Sequence, residues 1–266
     1  MFSNILCLDA VAGKLTPLAS LPEETAQWVQ LPILSPTNSS TLVLKIPHTD
    51  GTYGVLPIDT GCAFGLALPD QKWKPWRDSH PKAPTSIQTY DTPSDGFYVA
   101  RETWAHRIPV GPVTLTDLPV IQAGPAGEKM WGSQYEGTLG LAALKRLDII
   151  IDGRNNLAYL RPKMTSPPGY RHNRLGAVFV PAAGHLHQGI ARVVDGGPAY
   201  NAGVRDGDVL MKVNQVTVRA WTADWLNQFF LPAGTKLNLT LERDGKTYST
   251  TATLREILKP SSEQNE

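Results

Sequence analysis

Val55-Leu-Pro-Ile-Asp59-Thr60-Gly61-Cys62-Ala63-Phe64 is an apolar run that ends on a carboxylate and a glycine turn. Its first residues read as a strand. Thr60 offers a hydroxyl that can brace the turn, and Gly61 permits close backbone approach or a positive φ. The run therefore presents one rigidly held carboxylate, Asp59, at a strand end. Asp-Thr-Gly also occurs in ordinary turns, so the tripeptide alone carries two readings, a plain turn and a chemically used carboxylate.

The flanking sequence is strand-rich. Thr41-Leu-Val-Leu-Lys-Ile-Pro47 alternates, His48-Thr-Asp-Gly-Thr52 is its turn, and Tyr53-Gly-Val-Leu-Pro-Ile58 follows. Thr85–Tyr90 and Gly96–Ala100 flank Asp91-Thr-Pro-Ser-Asp95, a hairpin signal. Ile108–Thr116 and Leu118–Ile121 continue the series, and Leu141–Leu147 is the one clear short helix. Asp148–Asp152, a Gly153–Asn156 turn and Leu157–Leu160 read as a closing hairpin. Many strands at short spacing imply a mainly β fold, a barrel or a sandwich.

Composition agrees with that class. With 266 residues the chain is one large domain or two of ordinary size. Its 41% hydrophobic and 18% charged residues supply a core and exclude general disorder. Lys+Arg 25 against Asp+Glu 24 argues against nucleic-acid binding by bulk charge. The 22 prolines favour turns and strands over a helical bundle. Two cysteines, Cys7 and Cys62, exclude a disulfide framework and a cysteine-rich zinc module. No segment reaches the roughly 18 apolar residues of a membrane span. Met1–Leu8 lacks the basic and apolar regions of a signal peptide. A native start and a removed signal both fit, and only the second would imply a periplasmic or secreted location.

Taken together, four elements resemble the retropepsin-like aspartic proteases in their bacterial single-lobe form. They are the Asp59-Thr60-Gly61 turn, Pro109–Val120 as a middle hairpin, Glu136-Gly-Thr-Leu-Gly140 leading into Leu141–Leu144, and the hairpin over 148–160. The resemblance covers roughly Thr41 to Leu160. It implies an acid-protease β-barrel and an aspartic endopeptidase, with Asp59, Thr60 and Gly61 catalytic and no cofactor. Two neighbouring carboxylates would share one proton and titrate as a unit. The chain supplies one such turn, since Asp91-Thr92 precedes Pro93 and Asp152-Gly153 lacks the hydroxyl residue. A homodimer pairing Asp59 across a two-fold axis is therefore implied. Pro84–Arg101 would be the flap, with Tyr90, Gly96 and Tyr98 as its candidate residues. Cys62 stands where the family commonly has Ser, Thr or Ala. A buried structural thiol is the favoured reading over a nucleophile, with a spatial partner in His106 left open.

Gly189–Asn214 carries a second resemblance, to a PDZ domain, extending over 172–258. It reads as a strand, a short helix opened near Pro198 and a Gly207-Asp208 turn into the next strand. Thr222–Phe230 is the expected second helix, and Lys236–Arg243, Asp244-Gly245 and Lys246–Thr253 form a closing hairpin. Such domains take an extended peptide as an added strand. The resemblance implies that backbone N–H groups of Arg174-Leu175-Gly176-Ala177-Val178 capture a C-terminal carboxylate. Leu226 and Phe229 would line its side-chain pocket. Plain core packing of Leu175 and Phe229 is the alternative.

The expected organisation is a lead-in over 1–24, the protease domain over 25–163, a Pro/Gly linker over 164–171, the PDZ domain over 172–258 and a polar tail over 259–266. His185-Leu186-His187 lacks further ligands, so no metal is expected. Trp73, Trp76 and Trp104 read as packing residues. No phosphate loop and no Gly-x-Ser-x-Gly elbow occurs. The expected function is peptide hydrolysis by the Asp59 pair, with the PDZ domain recruiting peptide or protein substrates. A non-catalytic peptide-binding scaffold of the same fold is the second reading. A dyad completed by another chain is the third.

Overall fold

The computed structural model describes residues 4–34, 41–92, 96–163, 169–182, 185–218, 229 and 231–258. The chain is mainly β and falls into two compact units. The first holds Met1–Ala83 and Trp104–Tyr170, and the second holds Pro84–Thr103 and Arg171–Lys259.

The first unit begins with β1 (Ile5–Asp9), β2 (Lys14–Leu18), β3 (Val29–Leu34), β4 (Val43–Pro47), β5 (Tyr53–Asp59) and β6 (Leu66–Leu68). Helix α1 (Asp70–Ser79) follows. After β7 (Thr85–Thr92) and β8 (Gly96–Val110) come β9 (Val113–Gln122), α2 (Pro125–Trp131), β10 (Thr138–Gly140), α3 (Leu141–Leu144), β11 (Leu147–Asp152) and β12 (Leu157–Pro162). Its strand order is β2-β1-β11-β12-β3-β4-β5-β10-β6-β9-β8. β2 and β8 do not pair with each other, so the described strands form an open sheet and not the closed barrel that the sequence implied. The segment read as a lead-in carries β1 and β2, with β1 laddered to β11 from Ile5↔Asp152 to Leu8↔Ile149.

Alternation along these strands drives one apolar face inward. Leu44, Leu56, Leu66, Leu115, Leu118 and Leu144 are fully buried in one cluster, each side chain stabilising the fold by about 2 kcal/mol through burial. Trp73 of α1 joins them and Trp76 packs against them. α1 was not expected, because Pro75 lies inside it and proline normally argues against a helix interior. Within the middle hairpin expected over Pro109–Val120, Gly111, with φ of +59°, turns the chain from β8 into β9.

In the second unit, β13 (Ala177–Ala182), β14 (His185–Val193), β15 (Val209–Val213), β17 (Lys236–Arg243) and β18 (Lys246–Thr253) form a sheet in that order. β16 (Val216–Thr217) pairs with β15, and α4 (Pro198–Asn201) is the short helix opened by proline. Asp244 and Gly245 take φ of +51° and +73° between β17 and β18, the two left-handed positions of a tight hairpin. Leu175, Ala177, Phe179, Phe229, Leu237, Leu239 and Leu241 share its core. The expected second helix over 222–230 lies outside the described residues except for Phe229.

Gly96–Thr103 of β8 pairs with β7 inside this second unit, from Thr85↔Thr103 to Thr92↔Gly96. Ile87 of that hairpin is buried against Val178 and Val194, with Val99 and Val180 packed around them. Strand alternation explains the contact. Ala177 and Phe179 point into the sheet's own core, so Val178 and Val180 point the other way and the hairpin covers them.

Candidate functional site

Asp59 ends β5 beside β10, which runs parallel to it with Leu139↔Ile58 and Gly140↔Asp59. The turn after it is pinned by the start of α3. Gly140 donates to the Gly65 carbonyl at 2.8 Å, Leu141 to Cys62 at 2.8 Å and Ala142 to Phe64 at 3.0 Å. A Cβ on Gly140 would run into the Phe64 carbonyl and ring, so glycine there lets the two segments meet. Asp59 Oδ1 accepts the Gly61 N–H at 2.8 Å, and Oδ2 accepts the Cys62 thiol at 3.0 Å. Gly61 is not at positive φ. Its glycine character serves close approach, since a Cβ would sit 3.3 Å from Asp59 Oδ1. Thr60 is exposed.

Burial, then the hydrogen bond to Asp59 and its charge, push the Cys62 thiol up to about 12. A thiol held protonated is a donor to its neighbour and a poor nucleophile. His106, the open spatial partner, pairs with Asp117 at 3.2 Å. Iodoacetamide at about pH 8 is expected to alkylate Cys62 in the folded chain about a thousandfold more slowly than a free thiol. Site-resolved mass spectrometry reads this directly. Labelling at the rate of the unfolded chain would show that the thiol is not held by Asp59.

Other polar pairs serve local structure. Ser79 and His80 share a 3.0 Å hydrogen bond, but both also bind the Trp76 carbonyl at 2.8 Å and so close the end of α1. His48 meets Thr52 at 2.9 Å and Glu136 at 3.1 Å, and Lys72 also binds Glu136. Among the described residues no three His, Cys, Asp or Glu side chains are grouped to hold a metal. The side chains of His185 and His187 lie outside the described set.

The expected flap residues lie on the β7–β8 hairpin. Tyr90 and Tyr98 face each other across it with ring centroids 5.4 Å apart, and Gly96 pairs with Thr92. Of the expected peptide-binding residues, Leu175, Ala177 and Phe229 meet in the core of the second unit. Val178 faces the hairpin, and Leu226 lies outside the described residues. Gly176 has φ of +68°, which turns the chain from the loop into β13 at a conformation suited to glycine.

A residue that the sequence reading passed over organises this loop. Asn173, 1% exposed, accepts the N–H groups of Leu175 at 2.9 Å and Gly176 at 3.2 Å through Oδ1. Its Nδ2 donates to the Ala177 carbonyl at 2.8 Å. Its own carbonyl accepts the Ser86 hydroxyl at 2.6 Å. Asparagine three positions before a left-handed glycine is the signal that marks such a turn.

The PDZ domain family model matches residues 165–242. The chain carries a PDZ domain. No curated protein matches the chain. Among solved structures it is similar to the HtrA-type protease AlgW with a tripeptide, at 11% identity over 98% of this chain and 96% of that one, TM-score 0.31. A second is the same protease with a decapeptide, at 13% identity over 84% and 77%, TM-score 0.28. A third is a serine endoprotease from Yersinia pestis, at 12% identity over 95% and 93%, TM-score 0.27. Scores of this size transfer no residue and no activity to the chain.

These structures are HtrA-type and serine proteases, not retropepsin-like aspartic proteases. The expectation of an aspartic endopeptidase acting through a shared Asp59 pair is corrected on that finding. The Asp59 carboxylate accepts the Gly61 N–H through one oxygen and the Cys62 thiol through the other. The two-fold pairing implied by a dyad loses the argument that implied it.

Proposed function

We propose that the protein recognises peptides, and that its PDZ domain takes an extended peptide as an added strand on the outer edge of β13. The carrying observation is the position of β13 at the end of its sheet, where among the described strands it is laddered to β14 alone. Antiparallel ladders alternate, so successive residues direct their N–H and C=O groups to opposite edges. Val194 donates to the Gly176 carbonyl at 2.8 Å. Gly176, Val178 and Val180 thus spend their backbone groups on β14, and Ala177 and Phe179 present theirs outward. The Asn173 amide on the Ala177 carbonyl agrees with that alternation. The β7–β8 hairpin packs on the face bearing Val178 and Val180, and no ladder joins β7 to β13.

The test is fluorescence polarisation of the full chain against an array of random decapeptides, followed by amide-shift mapping with the best binder. Saturable binding is expected, with larger shifts at the Phe179 amide than at those of Val178 and Val180. Methylating alternate backbone nitrogens of the peptide should abolish it, because strand addition uses those donors. Absence of saturable binding across the array overturns the reading.

A further inference from the structure

The chain entering β13 and the chain leaving β18 meet at one buried imidazole. His172 is fully buried in the second unit. Its Nε2 accepts the N–H groups of Ile257 at 3.3 Å and Leu258 at 3.2 Å. A ring nitrogen that accepts two N–H groups carries its lone pair there, so the network fixes a ring with no proton on Nε2. Glu256 Oε1 lies 3.1 Å from the same nitrogen. Two acceptors, the bare Nε2 and a carboxylate oxygen, thus face each other within hydrogen-bond distance. A proton taken up between them turns that repulsion into a charge-assisted bond. It also sets an N–H against the two backbone N–H groups that Nε2 had held, and these lose their acceptor.

Charged groups on each neighbouring segment bear on this ring. On the C-terminal segment, Glu256 also accepts Arg174 Nε at 2.7 Å and Nη2 at 3.4 Å, and Arg255 is turned to the Gly196 carbonyl. On the segment before β13, Arg171 is exposed. On the hairpin, the buried Glu102 pairs with Ser86, which holds the Asn173 carbonyl at 2.6 Å. Burial opposes a charged imidazole and the Glu256 carboxylate favours one. The neighbouring backbone shows what a proton would loosen. Leu254 is fastened without His172, its N–H on the Thr235 carbonyl and its carbonyl on the Gly234 N–H, both at 2.8 Å. Beyond it Arg255 N–H reaches the Arg174 carbonyl at 3.3 Å, and the next two backbone donors to be held, Ile257 and Leu258, rest on His172.

We propose that His172 is an acid-operated latch. The neutral imidazole clasps Ile257 and Leu258 to the second unit, and protonation passes Nε2 to Glu256 and frees them. The device is independent of peptide recognition. Its sign follows from proton counting. The latched state holds one proton fewer than the released state, so the latch is closed above the ordinary histidine value of about 6.5 and opens as pH falls below it. Release begins after Leu254, whose own bonds do not involve the imidazole.

The test is amide hydrogen exchange of the full chain, read by NMR as protection factors at about pH 7.5 and about pH 5, either side of the histidine range. The protection of the Ile257 and Leu258 amides is expected to fall at least about tenfold on acidification, while that of Leu210 and Leu241 stays within about twofold. His172→Gln keeps a side-chain oxygen for the two N–H groups and cannot take up the proton, so its protection at Ile257 and Leu258 should not depend on pH over this range. Glu256→Gln leaves the imidazole in place and removes the carboxylate that receives its proton. It should move the midpoint of release down by about one pH unit or more. Wild-type protection that does not change with pH overturns the proposal, as does the same acid loss in His172→Gln or an unmoved midpoint in Glu256→Gln. Should His172→Gln fail to fold, the imidazole nitrogen-15 spectrum of the wild type decides in its place. A proton on Nε2 at about pH 7.5 overturns the latch, and a bare Nε2 that gains its proton as Ile257 and Leu258 lose protection supports it.

Discussion

Replacing Asp208 with alanine is expected to lower the stability of the PDZ domain by about 1 to 3 kcal/mol, the usual consequence of leaving buried hydrogen-bond donors unmatched. The Asp208 side chain is wholly buried. It accepts Arg243 Nε at 2.6 Å, Arg243 Nη2 at 2.8 Å, the Tyr248 hydroxyl at 2.6 Å and the Arg205 N–H at 2.7 Å. Alanine leaves those donors unmatched and an arginine without its counter-charge. Burial works to raise the Asp208 pKa, but the bonds from Arg243, Tyr248 and Arg205 outweigh it and hold the carboxyl below its ordinary 3.8. The sign follows: this contribution is complete above the unfolded value and is lost as pH falls through the lower folded one. Amide hydrogen exchange at Leu210 and Leu241 against pH checks both claims. A loss under about 1 kcal/mol would place the pair among weak surface bridges.

The second large effect falls on Phe229. Phe229→Ala should cost about 3 to 5 kcal/mol, as for other buried phenylalanines. The ring is 1% exposed and lies 5.9 Å from that of Phe179, tilted by 45°. Its backbone carbonyl, which holds the Arg174 N–H, survives the substitution. The experiment separates the two roles open to this residue. A core ring costs stability when truncated, whereas a ring lining an open pocket would cost mainly affinity. Chemical denaturation followed through PDZ-domain amides gives the first quantity, and peptide titration gives the second.

What was legible in the sequence follows the range of the forces involved. The β17–β18 hairpin was readable because Asp244-Gly245 encodes its own turn within a few residues, and α4 because Pro198 opens it. α1 was hidden by Pro75, whose local cost is met by burial of Trp73 in a core that no local window contains. β1 and β6 are short and owe their state to partners far along the chain, such as Ile150 for Cys7, and β2 in turn pairs with its neighbour β1. The Asp59 turn was visible, but the reason for Gly61 was not, since close approach to a side-chain oxygen is a three-dimensional matter. Asn173 was passed over because reading began at Arg174, one residue too late. The contact of Ile87 and Val99 with Val178 and Val194 was out of reach, because alternation says which side chains share a face and not what covers it.

That last contact governs the order in which the molecule is finished during synthesis. The described strands of the first unit have all been made once Tyr170 is reached, with the β7–β8 hairpin already emerged as an excursion from it. The strands that cover Ile87 and Val99 come afterwards, and the second unit closes only near Leu258. At ordinary elongation rates the ribosome takes on the order of ten seconds over that stretch. For that interval the nascent chain displays an apolar hairpin awaiting its own C-terminal half, a natural landing place for a chaperone.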